Sequence, residues 1–121
     1  MFKEALTNII EKTEGATGAL IMGMDGISVE RVFLPEGSET NMDVAAAEVT
    51  SLVRTALRAG GNTGLGQLRE MVVNFEGIHI LARMFTSEYF VVLTLKPEGN
   101  IGRGRFELRK AELQLAREFA V

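Results

Sequence analysis

The sequence contains no cysteine and a single histidine, His79, among its 121 residues. Without cysteine the chain has no disulfides, no thiolate metal ligands and no cysteine nucleophile, which suits a reducing compartment. One histidine is too few for a histidine-rich metal site, and no neighbouring sequence pairs it with the groups that a catalytic base needs. We therefore expect His79 to be a partly buried structural residue, and we predict no catalytic residues, cofactor, metal or small-molecule substrate.

The sequence also lacks a positive charge balance and long apolar runs. Its net charge is −3 and its isoelectric point about 5.2, so no general attraction to nucleic acid or to an anionic membrane is expected. Its apolar runs are only a few residues long, far below the ~18 needed to span a bilayer. The N-terminal segment MFKEALTNIIEKTEG lacks the apolar core of a signal peptide. These features predict a cytoplasmic protein folded as one domain over residues 1–121.

Three segments have the apolar spacing of amphipathic helices. The first covers residues 2–13, and we expect Gly15 and Gly18 to stop it. The second covers residues 42–59 with Gly60 as its predicted terminator, and the third covers residues 101–120.

Five further segments have strand character. The segments 19–24 and 89–95 are apolar on both faces, which is typical of central strands that are covered on both sides. The fold class that we predict is α+β, with a five-stranded antiparallel sheet sandwiched between helices. The middle helix would cover one face of the sheet, and the first and last helices the other. The remaining strands are predicted at 27–33, 67–75 and 78–85.

Two glycine-rich stretches, GGNTGLG at 60–66 and GNIGRGR at 99–105, resemble phosphate-binding loops only superficially. A P-loop needs a lysine and a hydroxyl residue after its glycines, at the start of a helix, whereas the first stretch leads from a helix into a strand. The G-x-G-x-x-G spacing of a dinucleotide site is absent as well. We interpret the first stretch as a helix cap and turn. In the second, we favour close helix packing at Gly102 and Gly104 over anion binding.

The surface of the predicted middle helix is unusual. One broad apolar face is predicted to cover the sheet: Met42, Ala45, Ala46, Val49, Leu52, Val53, Ala56 and Leu57. The opposite face is poor in charge and follows the 3-4 spacing of a helix-packing seam, so we expect it to contact another protein. The expected contact residues are Val44, Ala47, Ser51, Arg54, Thr55 and Arg58.

The segment REMVVNF is the second unusual surface, because it is a plausible edge strand without a proline or lysine in its middle. An unprotected edge of this kind favours pairing with a second copy, and a two-fold axis would bring the two middle helices together. We therefore predict a homodimer with a continuous sheet. Its pairing strand is predicted to consist of Arg69, Glu70, Met71, Val72, Val73, Asn74 and Phe75.

The last predicted helix carries two lines of apolar residues. Ile101, Leu108, Ala111, Leu115 and Phe119 are expected to pack on the sheet. A second line is expected to rest on the first helix: Phe106, Leu113, Ala116 and Ala120.

Three stretches and the element order resemble the Roadblock family, relatives of the dynein light chains, over nearly the full length. They are GATGALIMGMDGISV at 15–29, VAAAEVTSLV at 44–53 and YFVVLTLKPEGNIGRGRFELRKA at 89–111. The resemblance implies a profilin-like fold with the order α-β-β-α-β-β-β-α, and dimers formed through the middle helix and an edge strand. The sequence is most similar to prokaryotic members of the MglB type.

The resemblance also implies a role. Family members serve as platforms for Ras-like small GTPases or for motor complexes, and MglB-type regulators act on a GTPase by reshaping its switch regions without supplying an arginine finger. We therefore expect a non-catalytic homodimeric scaffold or regulator of a small GTPase, including stimulation of GTP hydrolysis, as in cell polarity or gliding motility. A structural light-chain-type subunit of a motor or cytoskeletal assembly is the alternative, and a small-molecule sensor is a third.

Overall fold

A computed structural model describes residues 2–35 and 42–120, and within residues 42–44 it describes the backbone alone. The side chains of Met42 and Val44 therefore lie outside the described part. The element order is the one predicted from the sequence. It runs α1 (Phe2–Lys12), β1 (Ala16–Gly23), β2 (Ser28–Phe33), α2 (Met42–Thr63), β3 (Glu70–Asn74), β4 (His79–Met84), β5 (Tyr89–Leu95) and α3 (Ile101–Phe119).

The five strands form one antiparallel sheet in the order β2-β1-β5-β4-β3. The two segments that are apolar on both faces, β1 and β5, lie inside the sheet and are buried along nearly their whole length. Helices α1 and α3 cover one face, where Leu6, Leu93 and Leu108 belong to one core cluster. Helix α2 covers the other face, where Val53 packs with Phe90. The predicted α+β sandwich is therefore confirmed.

The end of α2 differs from the prediction that Gly60 terminates it. The helix continues through Gly60 and ends at Thr63. Gly64 adopts a φ of +75°, which suits a residue without a side chain, and the N–H of Leu65 donates to the Gly60 carbonyl at 3.1 Å. This 6→1 bond is the one that a Schellman motif makes. Gly60 has a different role, since an added Cβ would lie 2.4 Å from the Gly66 carbonyl oxygen.

The two glycines expected to stop α1 have separate roles. The helix ends at Lys12, and Gly15 turns the chain with a φ of +86°. Gly18 is not a helix terminator, because it lies within β1 beneath the ring of Phe33.

Helix α3 begins with a side-chain cap, because Asn100 Oδ1 accepts a hydrogen bond from the N–H of Arg103 at 2.9 Å. Gly104 is buried, and an added Cβ would lie 3.1 Å from both Leu81 and Leu93, so the predicted close packing holds at this position. It is wrong for Gly102, which is exposed.

The second apolar line of α3 does not rest on α1 as predicted. Phe106 is 51% exposed and Leu113 is 68% exposed. The residues of α3 that pack against α1 and the sheet are instead Leu108, Ala111 and Leu115, together with Phe119, whose ring centroid lies 4.8 Å from that of Phe2 in α1. The cause is helical phase, since the buried line takes one face of α3 and leaves the Phe106–Leu113 line on the opposite one.

His79 is half-buried, and its Nε2 atom lies 2.8 Å from the Pro97 carbonyl oxygen. The expected structural role is consistent with this contact, which ties β4 to the segment after β5. Within residues 2–35 and 42–120, no helix has the length and hydropathy required to cross a membrane.

Candidate protein-interaction surface

Strand β3 lies at one edge of the sheet, so one side of its backbone has no strand neighbour among residues 2–35 and 42–120. The Phe75 N–H donates to the Ile78 carbonyl, and the Arg69 carbonyl accepts from the Met84 N–H. These bonds direct the backbone groups of the odd-numbered residues towards β4. In an antiparallel ladder the alternate residues point the other way. Glu70, Val72 and Asn74 therefore present their N–H and C=O groups at the free edge.

Exposed apolar side chains lie beside this edge. Val72 is 38% exposed and lies on the same face of β3 as Glu70, whereas Phe75, just after the strand, is 55% exposed on the face towards α2. Leu52 of α2 is 46% exposed, although its position in the helix predicted that it covers the sheet. An apolar cavity of about 150 Å³ lies between α2 and β3, lined by Leu52, Phe75 and their neighbours. Single exposed apolar residues are ordinary, but apolar side chains exposed on both faces of an open sheet edge indicate a contact surface.

The two sides of α2 have different surroundings. Ala45, Glu48 and Leu52 line the cavity next to β3. On the other side, the guanidinium of Arg54 donates through Nε to the Met24 carbonyl at 2.6 Å, with a second bond from Nη2 to the same oxygen. Arg54 thus fastens α2 to the end of β1, a role that the sequence did not predict.

The remaining predicted contact residues of α2 lie on its solvent-facing side. Ala47, Ser51, Thr55 and Arg58 are all exposed. The Thr55 hydroxyl donates to the Ser51 carbonyl at 3.0 Å, so it is satisfied within the helix. The structure therefore separates two surfaces of α2, which we call the edge side (Ala45, Glu48, Leu52) and the outward side (Ala47, Ser51, Thr55, Arg58).

The face of β3 opposite α2 carries a network of charged side chains. The carboxylate of Glu70 lies 2.5 Å from Arg105 Nε and 3.1 Å from Arg83 Nη1. Arg83, its cross-strand neighbour on β4, also donates from Nε to Glu112 at 2.6 Å. Two strands and α3 are joined by these contacts, which hold the edge strand against the helix.

The hydrogen bond from Arg105 is the largest influence on Glu70 and lowers the pKa of this carboxyl below its ordinary value of 4.5. Partial burial opposes the shift, and the nearby charges of Arg105, Arg83 and Arg109 reinforce it. The same partnership raises the pKa of Arg105. Glu70 is therefore ionised wherever the fold is intact at neutral pH.

The family of this chain follows from a comparison with known proteins. A family model described as the Roadblock/LC7 domain matches residues 2–94. The chain belongs to the Roadblock/LC7 family. Members of this family are generally regulatory proteins or structural light chains rather than catalysts. A search of curated protein sequences gives no significant match.

Solved structures agree with the family assignment. The crystal structure of MglC from Myxococcus xanthus is similar at 31% identity and a TM-score of 0.73, covering 97% of this chain and 98% of that one. A Roadblock/LC7 domain from Streptomyces avermitilis has 17% identity and a TM-score of 0.83, covering 98% and 97%. The gliding protein MglB from Thermus thermophilus has 19% identity and a TM-score of 0.84, covering 95% and 85%. At these lower identities the last two show the fold alone.

Sequence reasoning missed two residues of the Roadblock edge surface. The apolar spacing of α2 predicts Leu52 on the face that covers the sheet, and it predicts Glu48 on neither of the two faces. A signal was available for Leu52, because it lies at the margin of the apolar stripe, where a helix that covers an edge strand overhangs the sheet. For Glu48 the sequence holds no such signal, since only the packing of α2 beside β3 defines the cavity.

We predict that Glu70→Gln makes the stability of this Roadblock domain less sensitive to acid. The pKa of Glu70 is lower in the folded than in the unfolded chain. Its ionised carboxylate therefore stabilises the fold at pH values above 4.5, and this stabilisation is lost as the pH falls below 4.5 towards the folded pKa. We expect a loss of about 1 kcal/mol at neutral pH, since these ion pairs are partly exposed. Urea unfolding of wild type and variant at neutral and acidic pH measures both effects, with the exposed turn variant Glu76→Gln as control. Parallel pH profiles for wild type and Glu70→Gln would contradict the prediction.

Proposed function

We propose that this Roadblock domain is a cytoplasmic, non-catalytic homodimer that serves as a regulator or scaffold and binds a Ras-like small GTPase. The observation that carries the proposal is the open β3 edge, with Leu52 and Phe75 exposed on its α2 side and Val72 exposed on the other face. A monomer would leave both the backbone groups and this apolar surface in water. A second copy satisfies them together, because pairing two β3 strands also brings the edge sides of two α2 helices towards each other.

The backbone geometry of β3 favours one register for this pairing. Only Glu70, Val72 and Asn74 present their hydrogen-bonding groups at the free edge. An antiparallel two-fold pairing that uses all three must be centred on Val72. Val72 then lies opposite Val72 of the second copy, and Glu70 lies opposite Asn74 of the second copy. In this register the half-exposed Val72 side chains cover each other across the axis.

The absence of cysteine permits a direct test of the register. Directly opposed, hydrogen-bonded residues have Cα atoms about 5.5 Å apart, within the range that a disulfide spans. We expect Val72→Cys to form a disulfide-linked dimer quickly and almost completely under mild oxidation, as judged by non-reducing electrophoresis. Val29→Cys, at an exposed position on the opposite edge strand β2, is the matched control and should stay largely monomeric. Equal cross-linking of both variants would exclude this register.

The outward sides of the two α2 helices are the proposed GTPase-binding surface. Ala47 and Ser51 are small, so a partner can approach the helix backbone closely, while Thr55 and Arg58 supply polar contacts. Val44, whose side chain lies outside the described part, also belongs to the contact set expected from the sequence. Family membership and the fold shared with MglB and MglC support this assignment. The proposal includes stimulation of GTP hydrolysis by the bound GTPase. The absence of an arginine finger is expected, so any stimulation would come from reordering the GTPase.

Binding to a Ras-like GTPase encoded in the same genome tests the function. The GTPase is loaded with GDP or with a non-hydrolysable GTP analogue and titrated with the dimer by calorimetry. Preference for one nucleotide state supports the proposal, and the absence of binding in both states contradicts it. Capture of a filament or motor subunit irrespective of nucleotide would instead support the light-chain-type alternative, and ligand-induced thermal shifts would support the small-molecule sensor.

A further inference from the structure

The outward face of α3 combines exposed apolar and basic side chains. Phe106 is 51% exposed and Leu113 is 68% exposed, and the two lie on the same side of the helix, about 10 Å apart along its axis. Exposed cations continue the line at the 3-4 spacing of a single helical face. We call this surface the basic stripe, and it consists of Arg103, Phe106, Lys110, Leu113 and Arg117.

The contacts of the basic stripe pair one of its three cations, Arg103, and leave the charges of Lys110 and Arg117 directed outward. Arg103 lies over the Phe106 ring at 5.4 Å and pairs at 2.7 Å with Glu107, which is buried on the inner side of the helix. Lys110 and Arg117 have no ion-pair partner among residues 2–35 and 42–120. The stripe itself contains no carboxylate. The neighbouring helix α1 adds little net charge, because its exposed Lys3 and Lys12 are balanced by Glu4 and Glu11.

The whole chain has a net charge of −3, but the basic stripe is locally positive. Electrostatic interactions are screened over about 8 Å at physiological ionic strength. A surface in contact with the basic stripe therefore interacts mainly with the stripe, while the acidic groups on the far side of the sheet are screened. The expectation of no attraction to an anionic membrane was based on the net charge and does not describe this face.

We propose that the basic stripe of α3 binds the surface of an anionic lipid bilayer. Its cations match the negative headgroups, and Phe106 and Leu113 are positioned to enter the interface between headgroups and acyl chains. A bilayer requires no concave complement to this convex row, and it accepts apolar and basic side chains in any spacing along the row. An acidic protein would need a matching groove, so the lipid surface is the favoured occupant.

The homodimer would strengthen this binding, a step that rests on the proposed function. Directly opposed residues of paired strands project their side chains to the same face of a sheet. Both α3 helices would therefore lie on one face of the continuous sheet, and both α2 helices on the other. Two stripes would engage one membrane together, while the GTPase-binding surface faces away from it.

Vesicle binding tests the proposal. Purified protein is mixed with vesicles of phosphatidylcholine alone or with roughly one-third phosphatidylglycerol, and binding is measured by co-sedimentation at low and physiological salt. We expect binding to the anionic vesicles only, weakened by salt. Lys110→Gln should reduce the affinity about five-fold for each engaged stripe, and Lys110→Gln with Arg117→Gln roughly twenty-five-fold for each, since each cation near such a surface contributes a similar increment. Both positions are exposed, so the variants should fold normally.

Matched variants separate this role from the proposed function. Arg58→Gln removes one charge from the opposite face of the sheet and should leave vesicle binding unchanged. Phe106→Ser with Leu113→Ser should weaken vesicle binding at every salt concentration, while the GTPase titration stays as in the wild type. Equal binding to neutral vesicles, or equal losses from Lys110→Gln and Arg58→Gln, would overturn the proposal. Failure to bind either vesicle would also overturn it.

Discussion

Gly15→Ala is expected to lower the free energy of unfolding by about 3 kcal/mol or more and the melting temperature by roughly 10 °C. Two effects combine at this position. Gly15 has a φ of +86°, a conformation that an L-residue adopts only with strain. A Cβ added here would also lie 2.4 Å from the Gly99 Cα atom, and a backbone atom cannot move aside as a side chain does.

The substitution affects more than one contact, because hydrogen bonds join the turn after α1 to the segment between β5 and α3. The Gly15 carbonyl accepts from the Lys96 N–H at 2.8 Å, and the Glu14 carbonyl accepts from the Asn100 N–H at 2.9 Å. Separating Gly15 from Gly99 disturbs both bonds, together with the start of α3 that Asn100 caps.

Gly26→Ala is the matched control for the strain alone. Gly26 has a φ of +87°, but an added Cβ would meet nothing within 4 Å. Its expected destabilisation is about 1 kcal/mol. Urea and thermal unfolding of the two variants, read by circular dichroism, measure the difference. If Gly15→Ala and Gly26→Ala lose the same stability, the clash with Gly99 has no energetic weight and the prediction fails.

The order and approximate positions of the helices and strands can be predicted from the sequence. Apolar periodicity predicts the element order, and it gives the bounds of β5 at residues 89–95 as the structure has them. This works because a strand that is buried on both faces leaves a continuous apolar run between polar turns. The structure also places β3 at an edge of the sheet, as expected of the segment REMVVNF.

Features set by packing between distant segments could not be predicted in this way. The sequence gives no sign that Gly60 lies inside α2, because its requirement for glycine comes from the Gly66 carbonyl beside it. The burial of Glu107 and the network around Glu70 depend on α3 crossing β3 and β4. The sequence predicts the line of α3 that packs on the sheet, but whether the Phe106–Leu113 line meets α1 or solvent depends on where α1 lies beside α3.

The candidate interaction surface also has features that the local sequence predicts and features that only the packing of the chain determines. The sequence predicts that β3 and α2 carry the interaction residues, because an open edge and a face poor in charge are local properties. It does not distinguish the two sides of α2. That distinction depends on Leu52 lining the cavity beside β3 and on Arg54 reaching Met24 at the other side.

The separation of these two sides leads to the largest expected effect on assembly, which is dissociation of the homodimer by Leu52→Glu. In the proposed dimer the edge side of α2 faces the second copy, so the variant would bury a carboxylate in an apolar contact. The two-fold symmetry repeats the change at both copies. We expect the dimer dissociation constant to rise at least ~100-fold, since each buried charge adds more than the ~1.4 kcal/mol that corresponds to ten-fold.

The fold of the single subunit should survive this change. Leu52 is 46% exposed within one chain, so much of its side chain is already in water, and Val49 and Val53 provide the buried contacts of that turn. Sedimentation velocity over a dilution series measures the dissociation, and circular dichroism checks the fold. An unfolded variant would be replaced by Leu52→Gln, for which we expect a smaller change in the same direction.

Ala47→Glu is the variant that distinguishes assembly from partner binding, because it places the same carboxylate on the outward side of the same helix. We expect it to remain dimeric and to lose GTPase binding, since a large charged side chain prevents close approach to the helix backbone. Leu52→Glu should lose both, because the proposed GTPase surface needs two α2 helices side by side. If Ala47→Glu stays dimeric and binds the GTPase as tightly as the wild type, the outward side of α2 is not the binding surface. If Leu52→Glu remains a dimer at low concentration, two copies do not associate through β3 and α2, and the arrangement proposed for the family fold does not apply to this chain.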